Sequence, residues 1–480
     1  MMLLFALFAA ATLSAVDALE NGLARTPPLG WLSWQRYRCD IDCFDNELRK
    51  PGDDDRQCFN EALIQDIADA MDSHGYRQAG YQYVNLDDCW QAPKRVNGHV
   101  VADPKRFPSG IKALAAYVHG KGLKLGLYTA MGNQTCAAST YAIDGVGLGC
   151  DYTELQKGCK GAKRDIDDYA SWDIDHLKVD GCGGFDQVQQ NASYALVGEF
   201  LAAAAKKRVN KSIVYHPSNL GFRYPRQFRE LGAIANQWRW FNDVQDSWSS
   251  VTGIIAEIGA GQPKCIAGPL PKNCTSFDGG GPLATYCSSH CSEVEQFLAV
   301  PRPGAWHDPD MLITGNTPCS STEQKNGMHC NTLTHDEELT QFIVWSMASA
   351  PLFMSNDLAR VPEASKAILQ NNEILSIDQD VLGRMCRRFA LYEDGTQMWK
   401  KELDGGDVAV ALVNLSNESR AMTVTFSDVG WAPDTRVSLR DLVEGVDLGW
   451  KVGSYKSTAM PAHGSMLLRL SFKPQLDKEL

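Results

Sequence analysis

The sequence predicts a (β/α)8 TIM barrel followed by a small C-terminal antiparallel β-sandwich. Three observations carry this reading. Short apolar runs alternate with helical patterns through the first three-quarters of the chain. Four of the expected strand ends carry acids, where such barrels keep their chemistry. After Gly383 helical patterning gives way to strands and turns.

The apolar runs are Tyr83–Leu86, Leu123–Tyr128, His176–Val179, Ile213–Tyr215 and Pro351–Met354. Between them Leu63, Ile64, Ile67, Ala68 and Met71 form one stripe at helical spacing. Ile111, Leu114 and Val118 form a second, with Ser109 placed to cap its first turn. The segment Tyr194–Lys207 ends in Lys206, Lys207 and Arg208, where positive charge suits a helix C-terminus. An open doubly wound sheet is the alternative, but no Gly-rich phosphate turn follows the early strands. Beyond Gly383, Gln397–Lys401, Val408–Val413, Met422–Phe426 and Met466–Leu470 read as strands. Turn signals stand at Asp394-Gly395 and Asp404-Gly405-Gly406.

The chain thus divides into a signal peptide (1–18), a barrel (19–383) and a C-terminal β domain (384–480). Met1 to Val16 is almost free of polar residues, and Val16 and Ala18 are small enough for signal-peptidase cleavage after Ala18. No later stretch is apolar enough to insert in a membrane. Among 480 residues, 46 Lys and Arg against 58 Asp and Glu leave a net charge of −12, which argues against a nucleic-acid partner. A hydrophobic share of 44% excludes wholesale disorder.

A secretory-pathway protein, lysosomal or secreted, is the expectation. Sequons at Asn133, Asn191, Asn210, Asn273, Asn414 and Asn417 agree with it. The ending Asp477-Lys478-Glu479-Leu480 transposes the retention signal read in the endoplasmic reticulum, so it is ambiguous. Fifteen cysteines in an oxidising compartment are read as bridges, with one left over. Cys287, His290 and Cys291 suggest zinc at first sight. With Cys265 and Cys274 just upstream and no second ligand pair, disulfides are favoured and no metal is expected.

The acids stand at Asp87-Asp88, at Asp180, at Asp243 and at Asp308 with Asp310. Three of the four groups have Trp beside them. Any one acid in such a loop is best read as a helix cap; four together are not. Tryptophan faces stack on sugar rings and carboxylates bind sugar hydroxyls, so the constellation reads as a carbohydrate site. Lys178 and Asp180 are two apart on a strand and share a face. The cation is expected to depress the Asp180 pKa and keep it ionised as a nucleophile. A general acid needs an apolar site that raises its pKa. Asp243, after Trp238, Trp240 and Phe241, is the candidate, although Arg239 acts in the opposite sense.

These motifs carry a resemblance. The chain resembles the lysosomal α-galactosidase and α-N-acetylgalactosaminidase (melibiase-like) family of retaining glycoside hydrolases. The match runs from Leu19-Glu-Asn-Gly-Leu-Ala-Arg-Thr-Pro-Pro-Leu-Gly-Trp31 through Leu86-Asp-Asp-Cys-Trp90, Asp103-Pro-Lys-Arg-Phe-Pro108 and Gly122-Leu-Lys-Leu-Gly126. It continues at Lys178-Val-Asp-Gly-Cys182, Asp308-Pro-Asp-Met-Leu312 and Ala350-Pro-Leu-Phe-Met-Ser-Asn-Asp-Leu358. The resemblance implies Asp180 as nucleophile and Asp243 as acid/base, with no cofactor. It also implies that Asp87, Asp88, Lys178, Arg239 and Asp310 hold galactose hydroxyls, with Trp34, Tyr128 and Met311 lining the pocket. Bridges Cys39–Cys89, Cys43–Cys58 and Cys136–Cys182 follow from it, as does a homodimer. Terminal α-galactoside glycans are the implied substrates; a catalytically weak galactose-binding protein on the same barrel is the alternative.

The departures are as informative. After the fifth strand α-galactosidases read Cys-Glu-Trp-Pro-Leu and N-acetylgalactosaminidases Cys-Ser-Trp-Pro-Ala. This chain reads His216-Pro217-Ser218-Asn219-Leu220-Gly221, so Ser218 and Gly221 are the small residues that leave room at the sugar 2-position. Pro217 and Ala235 replace both half-cystines of the family bridge there. Three insertions carry their own cysteines: Cys150 and Cys159, the stretch from about Gly261 to Val300, and Cys319 and Cys330. All three are expected on the rim of the site.

Overall fold

The computed structural model describes residues 19, 21–39, 58–137, 147–148, 158–182, 187–208, 211–218, 232–239, 241–260, 300–316 and 333–472, without the side chains of 187–191 and 260. The signal-peptide region, the Gly261–Val300 insertion up to 299, Cys43, Cys150, Cys319, Cys330 and Gly221 lie outside these residues.

Eight short parallel strands build the first layer: β1 (Leu29–Leu32), β2 (Tyr83–Asn85), β3 (Lys124–Ala130), β4 (His176–Asp180), β5 (Val214–Pro217), β6 (Gln237–Arg239), β7 (Trp306–Asp308) and β8 (Leu352–Met354). Hydrogen bonding orders them β5-β4-β3-β2-β1-β8, with β6 and β7 as a parallel pair. Two seams close the ring. Asn236 donates its N–H to Tyr215 O (3.0 Å) and accepts the Tyr215 N–H on Oδ1 (3.1 Å), joining β5 to β6. Leu312, just past β7, pairs with Met354, its N–H reaching Phe353 O at 2.8 Å. The eight strands therefore close into the barrel that the alternation predicts.

Helices cover the outside. They are α1 (Trp34–Tyr37), α2 (Glu61–Ser73), α3 (Gly110–Gly120), α4 (Lys160–Ser171), α5 (Gln187–Lys207), α6 (Trp248–Ala260), α7 (His335–Met347), α8 (Glu363–Leu369) and α9 (Asn372–Asp378). The stripe Leu63, Ile64, Ile67, Ala68 and Met71 is buried on α2, whose start is capped by Asn60 Oδ1 accepting the Leu63 N–H. Ser109 does not cap α3. Its backbone is already helical (φ −81°, ψ −13°), whereas a capping side chain needs an extended residue to reach back; its N–H goes to Glu61 Oε2 instead. α5 begins at Gln187, ahead of the expected Tyr194.

Large aromatics fill the barrel wall and tie strand ends together. Trp31, Trp90, Trp238, Trp306 and Trp345 are fully buried, and each indole N–H finds an acceptor: Asn356 O, Tyr128 O, His307 Nδ1, Ala24 O and Asp310 O. Each indole N–H left unpaired would cost about 1–3 kcal/mol, so the bonds select one arrangement of these rings. Gly126 on β3 permits a close approach, since a Cβ there would stand 2.0 Å from Asn85 Oδ1.

The second layer is antiparallel: β9 (Arg387–Leu391), β10 (Thr396–Glu402), β11 (Val408–Asn414), β12 (Thr423–Thr425), β13 (Arg436–Asp441), β14 (Val446–Val452), β15 (Ser454–Lys456) and β16 (Ser465–Ser471). Six strands run β14-β13-β16-β11-β10-β9, and β12 pairs with β15. Met398, Val410, Leu412, Val424, Phe426, Leu439, Leu468 and Leu470 form the core between them. α7, opened by a Thr334–Glu337 capping box, is wedged between barrel and sandwich; Thr340 Oγ1 donates to His463 O.

Bridges Cys39–Cys89 and Cys136–Cys182 are formed, with Cα separations of 5.5 and 5.1 Å. Cys58 and Cys159 are also disulfide-bonded, while Cys386 is a buried thiol. Among the sequons, Asn133 and Asn417 are exposed. Asn414 corrects the expectation: it is buried, and its amide donates to Glu418 O and Pro461 O, so this fold has no room for a glycan on it. Asn210, Asn273 and the Asn191 side chain lie outside the described residues.

Candidate active site

All four acidic groups stand at the C-terminal mouth of the barrel, because each follows or ends a parallel strand: Asp87 and Asp88 after β2, Asp180 on β4, Asp243 after β6, Asp308 and Asp310 at β7. Parallel strands point their C-terminal ends to one side, so acids far apart in sequence converge there.

One half of the site is built on β3 and β4. Lys178 Nζ lies 2.7 Å from Asp87 Oδ2, with both side chains buried. The ammonium also sits 5.2 Å from the Tyr128 ring centroid. The Tyr128 hydroxyl donates to Asp180 Oδ2 (3.1 Å), and the Gly181 N–H donates to Oδ1 (2.9 Å). Asp87 is itself placed by its N–H to Ser33 Oγ (2.9 Å). Asp88 faces the loop after β3. Its oxygens accept the Cys89 and Ala137 N–H groups, which anchors the segment carrying Cys136. Burial pushes its pKa up to about 6.

The other half is built on β6 and β7. Arg239, buried, reaches Asp310 Oδ2 at 3.1 Å and Asp243 Oδ1 at 3.2 Å. It also donates to the carbonyls of Phe241 and Asn242. Asp310 accepts the Val244 and Met311 N–H groups at 2.7 and 2.8 Å. Burial pushes the Asp310 pKa up to about 6, against the pull of Arg239. Asp243 itself is 67% exposed, the most open acid of the set.

The pKa direction expected for Asp180 is reversed, and at Asp243 the opposing influence of Arg239 prevails. Burial outweighs Lys178 at Asp180, and Asp243 and Asp87 add to the effect, so the nucleophile candidate is raised. Burial also acts upward on Asp243, but Arg239, Lys178 and Arg38 outweigh it, so the acid candidate is lowered. Arg239 bonds directly to Asp243.

Trp34 and Met311 stand beside these groups in the chain, Met311 buried and Trp34 half-buried under the Arg38 guanidinium, 4.9 Å from its ring. Ser218 is buried next to β4: its N–H donates to Val179 O, and its own carbonyl accepts the Tyr194 hydroxyl. Gly221 is not among the described residues. Sequence reasoning did not assign a role to Asp308 or His216. His216 Nε2 lies 2.9 Å from Asp308 Oδ2, a pairing between strands that are not neighbours in sequence. Among the described residues, the single cluster of potential metal ligands is Cys136, Asp180 and Cys182, and both of its cysteines are spent in the bridge between them.

A family model described as "Alpha galactosidase A" matches residues 26–274 and 283–380, and one described as "Alpha galactosidase C-terminal beta sandwich domain" matches 393–470. The chain belongs to the α-galactosidase A family. Its catalytic-domain match breaks at 275–282, inside the longest insertion. A member from Homo sapiens, alpha-galactosidase A, is 34% identical over 419 residues, covering 86% of this chain and 80% of that protein. The alpha-N-acetylgalactosaminidase of Gallus gallus is 34% identical over 446 residues, 91% of each chain. Among solved structures of α-galactosidases, alpha-galactosidase I from Mortierella vinacea superposes with a TM-score of 0.70 at 25% identity, covering 95% of this chain and 99% of that one. The barrel and β-sandwich expected from the sequence are the architecture of this family.

Proposed function

We propose that this chain is a retaining exo-α-glycosidase that removes terminal α-D-galactosyl units, or also or instead α-N-acetylgalactosaminyl units, from glycans. One observation carries the reading: Asp180, at the end of β4, and Asp243, just after β6, stand at the same barrel mouth, flanked by the Lys178–Asp87 and Arg239–Asp310 pairs. Two carboxylates with separate partners are what double displacement needs.

In the first step a carboxylate oxygen of Asp180 attacks the anomeric carbon. The glycosidic C–O bond breaks, and Asp243 gives its proton to the leaving oxygen. Water then attacks the same carbon, Asp243 takes up a proton, and the bond to Asp180 breaks. Two inversions leave the configuration unchanged. Carboxylates and water carry every step. The Tyr128 hydroxyl and Gly181 N–H stabilise the Asp180 carboxylate as it leaves.

Asp87, Asp88, Lys178, Arg239 and Asp310 hold the sugar hydroxyls in this reading, with Trp34, Tyr128 and Met311 as pocket walls. A small residue at Ser218 supports room for an N-acetyl group. The secretory pathway, ending in lysosome or secretion, fits the bridges; among the described residues no helix is long and apolar enough to cross a membrane. A homodimer belongs to the same reading and rests on the resemblance alone.

The test is hydrolysis of nitrophenyl α-galactoside and its N-acetylated analogue near about pH 4.5, within the carboxylate titration range. Turnover of either, abolished in a folded Asp180→Asn variant, supports the reading. Galactose binding without cleavage of either substrate would establish the sugar-binding alternative instead.

A further inference from the structure

Asp310 has a backbone φ of 90°, a region that non-glycine residues avoid. Such strain persists only where the surroundings over-determine it. Here four bonds do so: the Asp310 N–H donates to Asp308 Oδ1 (2.8 Å), its carboxylate takes the Val244 and Met311 N–H groups, and its carbonyl takes the Trp345 indole. Asp308 is therefore the anchor of the turn that presents Asp310 to Arg239.

What holds Asp308 comes from across the barrel. His216, the last residue but one of β5, places Nε2 2.9 Å from Asp308 Oδ2, with both side chains almost completely buried. Besides Asp308 on β7, the imidazole faces His176 and Lys178 on β4 and Arg239 on β6. Its ring packs edge-on against His176 at 5.5 Å. With cations and a second imidazole on the other sides, Asp308 Oδ2 is the anionic group that Nε2 meets, in a polar contact at 2.9 Å that lies off the line of a hydrogen bond. Burial lowers the imidazole pKa, with Lys178 and Arg239 adding to that against Asp308, so what His216 presents to Asp308 is the polar edge of a neutral imidazole.

We propose that His216 is a positioning residue for the acid/base side of the site, acting through Asp308 and the strained Asp310 turn on Arg239 and the loop that carries Asp243. The chain of contacts is continuous. His216 fixes Asp308; Asp308 fixes the Asp310 N–H; Asp310 holds Val244 and Arg239; and Arg239 holds Asp243. No atom of His216 needs to touch substrate. This inference rests on the glycosidase reading for its kinetic readout, and on sugar binding for an independent one.

The experiment compares His216→Leu, which removes the polar edge at similar volume, with His216→Gln, whose amide reaches the same point as Nε2. Wild type and both variants are assayed on nitrophenyl α-galactoside across pH, and D-galactose affinity is measured by calorimetry. His216→Leu is expected to lower kcat/KM by about tenfold or more and to weaken galactose binding, because Arg239 and Asp310 are loosened. Its alkaline limb is expected to move up, since a loosened Arg239 no longer holds the Asp243 carboxyl low; Lys178, Arg38 and Asp180 face Asp243 unchanged, while Asp310 loosens together with Arg239. His216→Gln is expected to recover both. A purely structural role for His216 would lower the active fraction and leave galactose affinity and the pH profile alone.

A folded His216→Leu within twofold of wild type, with an unmoved limb, overturns the proposal. So does a folded His216→Gln no better than His216→Leu, since the polar contact to Asp308 is then not what matters. If His216→Leu does not fold, His216→Asn takes its place, as its amide stops short of Asp308. If wild type cleaves neither substrate, the glycosidase reading fails, and galactose affinity across the variants decides on His216. A wild type that binds no galactose overturns both.

Discussion

Lys178 Nζ lies 2.7 Å from Asp87 Oδ2, and this buried pair ties β4 to the loop after β2. Burial leaves Asp180, two residues along the strand, with a raised pKa, and the neighbouring carboxylates of Asp243 and Asp87 add to it against Lys178. Lys178 remains the strongest influence pulling Asp180 down. Lys178→Met is therefore expected to raise the Asp180 pKa further. In the proposed mechanism Asp180 must be ionised to attack, so the acid limb of kcat/KM moves to higher pH, and activity is lost first at low pH. A folded Lys178→Met variant whose acid limb does not move contradicts this coupling.

Asp243 gives a second pH prediction. In the free enzyme Arg239 keeps its carboxyl below the ordinary range, and the proton needed for the first step is lost as pH rises through that lowered value. In the proposed complex sugar covers this exposed acid and its hydroxyls engage Arg239, and both effects would raise the pKa. The alkaline limb of kcat, which reports the complex, is expected to lie above that of kcat/KM, which reports the free enzyme. Coincident limbs would show that Arg239 keeps its hold on Asp243 in the complex.

The junction between barrel and sandwich makes a stability prediction. Lys401 on β10 is buried and donates to Ser349 Oγ at 2.7 Å, to Ser346 O at 3.1 Å and to Ile377 O. Burial lowers its pKa to about 8 against the pull of Asp378, whose own carboxyl burial raises to about 8. Removing the ammonium strands two carbonyls and a buried acid. Lys401→Met is expected to destabilise the chain by about 3 kcal/mol or more, measured by urea unfolding. A loss under about 1 kcal/mol would mean that the pair does not hold the junction.

Lys401 also shows where sequence reading stops. In Gln397–Lys401 a lysine at a strand end reads as solvent-facing, and nothing local says that a helix C-terminus will be packed over it. The alternation of strands and helices was legible because buried parallel strands leave continuous apolar runs. The acids were legible because strand ends are marked by the runs before them. The His216–Asp308 pair was not, since it joins β5 to β7 across the barrel interior, and no periodicity carries that distance. The raised pKa of Asp180 was missed for a related reason: sequence spacing named the nearest cation but not the burial that outweighs it, and at Asp243 it named both the apolar neighbours and Arg239 but not which would prevail. Asn414 fits its sequon, but its place on the central strand β11 buries it. Strands β9, β14 and β15 were missed because their exposed positions interrupt the apolar pattern, and β13 because its buried face, Val437, Leu439 and Asp441, includes an acid.

The central claim is that Asp180 bonds to the sugar during turnover. A fluorinated α-galactoside whose glycosyl-enzyme forms faster than it hydrolyses should trap that bond, and mass spectrometry of a protease digest locates it. The account predicts one galactosyl adduct, on the peptide carrying Lys178-Val179-Asp180-Gly181, absent from Asp180→Asn. An adduct on any other carboxylate would contradict it, as would turnover of the reagent by direct attack of water with no covalent intermediate.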